Sequence, residues 1–76
     1  MEDVKREILR AVEELFESFA RDNVDYERVR WELDYIVYPS IGSYLADGSL
    51  TKEEGIEIFE FCERKLRELK LMMDSA

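Results

Sequence analysis

The chain has 76 residues, with 19 acids against 11 bases for a net charge of −8, no histidine and one cysteine. That length allows a single domain, 1–76, whose fold buries only about 60% of the surface of the unfolded chain. The missing histidine removes imidazole bases, Ser–His and Cys–His nucleophile pairs and His metal ligands, and the acidic balance argues against direct nucleic-acid binding, which runs on Lys and Arg.

Residues 2–21 read as an amphipathic helix. Val4, Ile8, Val12, Leu15 and Phe19 recur at helical spacing, and Leu9, Ala11 and Phe16 widen the apolar face. Glu2 and Asp3 stand where the helix dipole favours negative charge. Glu2–Arg6 and Glu17–Arg21 are acid-before-base pairs four residues apart, and Arg21-Asp22-Asn23 is the expected stop.

A second helix is predicted over 25–38, with Asp25 as N-cap and Val24 and Val29 as a hydrophobic staple. Pro39 should end or kink it near Tyr38, because a proline disfavours α geometry in the residue before it. Residues 39–46 then form either a short fourth helix or a kinked extension, and Asp47-Gly48 marks the turn that follows. The third helix, over 51–73, opens on Thr51-Lys52-Glu53-Glu54, a capping-box pattern. Its inner row is Phe59, Cys62, Leu66, Leu69 and Met73, with Ile58 at the margin. Short connections make the expected fold an all-α, small antiparallel three-helix bundle.

The second helix carries two apolar stripes. Val29, Leu33 and Ile36 suit a core face, while Trp31, Tyr35 and Tyr38 form an aromatic row. At 100° per residue, Trp31 lies about 160° from Leu33, so one core face does not cover both. Either residues 39–50 fold back over the rings, or the rings are an interface. Trp and Tyr are the side chains enriched at binding hot spots, and small domains often complete their core by association. The middle of the chain is also the most acidic part: residues 22–50 carry −4, against −2 for 1–21 and −2 for 51–76.

The remaining motifs are local. Three scattered glycines build no phosphate loop. Ser43 to Glu54 lays onto a calcium-binding loop only at Asp47, Gly48, Leu50 and Glu54, with Ser43 and Leu45 at the leading ligand positions. Asp47-Gly48-Ser49-Leu50 is similar to the Asp-Ser-Leu motif of acyl carrier proteins. However, it carries an inserted glycine, and only 26 residues follow where that family has two further helices. Cys62, on an inner row, reads as a small buried hydrophobe. The acids Glu53, Glu57 and Glu60, with Glu13, Glu14 and Glu17, read as solvated faces. No catalytic, cofactor or metal site emerges. Many charges with no Gln and a single Asn match a thermophile-like composition.

Val37-Tyr38-Pro39-Ser40 and Glu54-Gly55-Ile56 resemble two segments of the small acidic immunity proteins that neutralise nuclease bacteriocins. The likeness spans seven positions. It implies partner-binding roles for Tyr35 and Tyr38, with Asp34 as a flanking acid. The expected function is therefore a non-catalytic acidic helical interaction module, self-associating as a homodimer through Trp31, Tyr35 and Tyr38. The alternative is an acidic inhibitor or nucleic-acid mimic that blocks a basic protein partner. With no apolar run longer than Tyr35–Tyr38 and a charged N-terminal segment, no membrane span and a cytoplasmic location are expected.

Overall fold

A computed structural model describes residues 3–74. The fold is all-α. Helix α1 spans Val4–Arg21 and α2 spans Tyr26–Glu32; a π-helical turn, Leu33–Val37, leads without a break into α3, Tyr38–Ala46; and α4 spans Lys52–Asp74. Glu32, Leu33, Val37 and Tyr38 all keep right-handed helical torsions, so residues 26–46 form one continuous middle helix. The segment after Pro39 is thus an extension of the second helix, which does not stop at Tyr38. Among the described residues no helix is long and apolar enough to cross a membrane.

Local chemistry sets the helix ends. Asp3 caps α1 by accepting the Lys5 N–H at 3.1 Å. At the other end Asn23 takes a left-handed φ of 56° and the Val24 N–H reaches back to the Phe19 carbonyl at 3.1 Å, a Schellman stop. The anticipated Glu2–Arg6 pair lies outside the described residues, and Arg21 sits 3.9 Å from Asp22. Asp25 holds the N-cap position of α2 with extended torsions, but its side chain makes no capping bond. Gly48, at φ 83°, reverses the chain after α3 while Asp47 Oδ1 accepts the Ser49 N–H at 2.8 Å. The capping box of α4 is complete: Thr51 N–H donates to Glu54 Oε1 at 2.9 Å, and Glu54 N–H donates to Thr51 Oγ1 at 3.1 Å.

The middle helix runs antiparallel to α4. Tyr26 lies under Lys70, Tyr38 meets Phe59, and Leu45 meets Gly55, where a Cβ would fall 2.8 Å from Leu45 Cδ2. Lys5 reaches Glu57 at 2.6 Å near the starts of α1 and α4, while Phe16 and Ala20 border Leu69 and Met72 near their ends, so these two helices run parallel. The result is an up-down-up bundle around Val12, Phe16, Phe19, Val29, Leu33, Ile41, Leu50, Ile58, Cys62 and Leu69. Ile58 is wholly buried at the centre of α4's inner face, not at its margin. Helix α1 packs chiefly on α4 and only lightly on the middle helix.

Candidate functional site

The path of the middle helix follows from Pro39. In an α-helix its ring would strike the carbonyl of Tyr35, and its missing N–H would leave that carbonyl without a donor. The widened turn gives the ring room: the Tyr38 N–H donates to the Leu33 carbonyl, five residues back. Ser40 Oγ donates to the Ile36 carbonyl at 2.8 Å, satisfying an acceptor beside the proline.

A bond to the fifth residue back fits one extra residue into the turn, so everything after it lags by roughly 100° around the axis. The core row therefore continues from Leu33 to Val37 and Ile41. Ile36, which an unbroken α-helix would turn inward, is 52% exposed. The same lag takes Tyr38 out of the aromatic row. Its ring is half-buried and meets Phe59 edge-on, with centroids 5.4 Å apart. Burial, with the neighbouring Cys62, Glu63 and Asp34, raises the Tyr38 hydroxyl above its ordinary pKa.

Trp31 and Tyr35 remain outside, 47% and 68% exposed, with ring centroids 5.3 Å apart and planes tilted by 33°. The Arg28 guanidinium lies over Trp31 at 5.3 Å from the ring centroid, and its Nε stands 3.5 Å from Glu32 Oε1. Because residues 38–46 prolong the helix axis, they do not fold back over these rings. Asp34 is exposed and borders a separate depression between the middle helix and α4, beside Arg30, Tyr38 and Glu63. The structure brings Trp31 and Tyr35 together and leaves Tyr38 and Asp34 on another side.

Ile36, the residue after Tyr35, helps line a groove of about 240 Å³ between α1 and the middle helix. Ile8, Ala11 and Leu15 form one wall, and Ile36, Ile41 and Tyr44 the other. No charged side chain lines it. Helical spacing on α1 hinted at this opening, since Ala11 is small where its neighbours on the apolar face are large. On the second helix the signal is the recurrence of Val29, Leu33, Val37 and Ile41 at every fourth residue, which leaves Ile36 off the core row.

The remaining reactive groups are occupied structurally. Cys62 is buried and its thiol is pushed up to about 11 by desolvation, reinforced by the charge of Glu63. The Asp47 carboxyl is held below its usual range by the hydrogen bonds from Ser49. Glu54 is engaged in the capping box, so the letters shared with a calcium loop make a turn and a helix start. Among the described residues no three His, Cys, Asp or Glu side chains are grouped as a metal site would require.

No family model matches the chain, and no curated protein or solved structure matches it either.

Proposed function

We propose that this protein is a non-catalytic acidic helical interaction module that self-associates, as a homodimer, through Trp31 and Tyr35. The observation that supports this reading is the adjoining, outward-facing ring pair with a cation over its indole. Trp, Tyr and Arg are the residue types that dominate binding hot spots, and two adjoining aromatic rings left in water are a cost that association removes. Burial of Cys62, whose thiol is pushed up to about 11, and of half of Tyr38 supports the non-catalytic part of this reading.

Sedimentation velocity over a concentration series tests the reading. The wild type should dimerise, and Trp31→Ala and Tyr35→Ala should each weaken the dimer at least tenfold while the far-UV helical signal is unchanged. Each copy carries −8. Raising salt to about 1 M, where the Debye length is about 3 Å, should therefore tighten the dimer by screening repulsion. A wild type that stays monomeric at every concentration would refute self-association. Salt-labile capture of a basic protein would instead favour the charge-mimic alternative.

A further inference from the structure

We propose that the groove between α1 and the middle helix receives the Trp31–Tyr35 ring pair of a second copy, with the two copies exchanging rings across a two-fold axis near Ile36. The inference rests on the self-association proposed above and adds to it the receiving surface. Without the groove, the rings of two copies would simply stack on each other.

Size, chemistry and position each favour this occupant. An enclosed cavity of about 150 Å³ lined by aliphatic side chains takes up benzene. A groove of about 240 Å³ therefore has room for one aromatic ring system, the Trp31 indole, with the Tyr35 ring lying against its rim, and too little for a whole helix. Its walls are mainly apolar, Ser40 and Tyr44 adding hydroxyls and no lining side chain a charge, so an indole or phenol enters without displacing a charge. Ile36 lines the groove and directly follows Tyr35 in the chain, so the projection and the receptacle share an edge. An isologous dimer requires one patch that is complementary to itself, and a projecting ring pair beside an apolar recess meets that condition.

The charges agree. The ring pair carries Arg28 on top of Trp31. On α1, helical spacing places the exposed Glu7 and Glu14 one step out from Ala11, with Arg10 a step farther round. A copy's Arg28 would thus approach the acidic rim of its partner's groove. Aromatic side chains bury about 150–250 Å² each when fully covered. Two partly exposed rings per copy, with the groove walls that cover them, give an interface on the order of 1,000 Å², the lower bound for a specific contact.

The test separates this inference from self-association in general. Ala11→Trp fills the groove from its own wall at an exposed helical position, and Ala11→Leu fills it partly. With helical content checked by circular dichroism, Ala11→Trp should weaken the dimer at least tenfold, Ala11→Leu less, and Trp31→Ala as much as the full filler. An equimolar mixture of Trp31→Ala and Ala11→Trp should regain a dimer, because one copy supplies the ring pair and the other the open groove. If the Ala11→Trp dimer is as tight as wild type, or the mixture stays monomeric, the groove assignment is overturned while self-association stands. Loss of the dimer in Ala11→Trp but not in Trp31→Ala also overturns it, since the groove would then hold another part of the second copy. A monomeric wild type removes both.

Discussion

Helix α4 and the middle helix lie antiparallel against each other, yet they are built on different rules. α4 starts on a reciprocal capping box and keeps one α-helical register from Lys52 to Asp74. The middle helix starts on an Asp25 that makes no capping bond and changes register halfway, at the π turn over Leu33–Val37. The change of register is what matters for the surface. It moves Ile36 outward and Tyr38 inward, leaving Trp31 and Tyr35 as a pair beside an open groove. A rule of constant periodicity describes α4 well and fails on the middle helix at its one proline.

The largest expected effect separates the two isoleucines. Ile58→Ala empties a wholly buried site on α4 and should cost about 2–5 kcal/mol. At a typical ~0.05–0.15 kcal/mol of stability per residue, that leaves the fold close to unfolding in mild urea. Measured at protein concentrations where the chain is monomeric, Ile36→Ala removes a side chain that is half in water and should change stability by no more than about 0.5 kcal/mol. Equal losses in urea unfolding would mean that Ile36 packs inward and that the π turn is absent.

The helix starts give the next contrast. Thr51→Ala breaks one half of the capping box and should cost about 1 kcal/mol, whereas Asp25→Ala removes no capping bond and should be close to neutral. Both are read from the same denaturation curves, and a larger loss at Asp25 would reverse the contrast.

A smaller effect concerns pH. The folded-state pKa of Asp47 is depressed, so its contribution is present above the ordinary carboxylate range and is lost as pH falls through the lower folded value. The urea midpoint of the wild type should therefore decline below about pH 4, and Asp47→Ala should decline less steeply over the same interval. Identical slopes would show that the Ser49 hydrogen bonds do not discriminate the charged form.

What could be read from the chain divides along the same line. The Thr51–Glu54 box, the Asn23 stop and the Asp47-Gly48 turn are legible because each depends on two or three neighbouring residues and the backbone. The three-helix count and the separation of Trp31 and Tyr35 from the core face follow from periodicity, whereas their exposure depends on where residues 39–50 go, which periodicity left open. Pro39 is legible too, but the residue before it keeps α geometry against the usual steric bias, with Tyr38 at φ −64° and ψ −41°. A wider turn accommodates the ring where the proline predicts an end or a kink. The spacing did hold a clue. Val29, Leu33, Val37, Ile41 and Leu45 recur every fourth residue straight through the proline. In an unbroken α-helix that row would drift by about 40° per step, and the π turn takes up roughly 100° of the drift. The groove was harder to read, because it depends on how lightly α1 leans on the middle helix, a tertiary choice at which the small Ala11 only hints.

Cys62 has a kinetic consequence. The chain's one thiol sits sealed among Ile58, Leu33 and the other core side chains, so no reagent reaches it while the bundle is closed. Its modification by a disulfide dye then runs at the pace of the molecule's openings. At low dye the rate reports how much of the population is open, and at high dye it reports how fast the helices part. If the two copies stand together as proposed, higher protein concentration lowers the open fraction and slows that reaction. The buried sulfur thereby serves as a clock for the whole assembly, running without any label on the binding face.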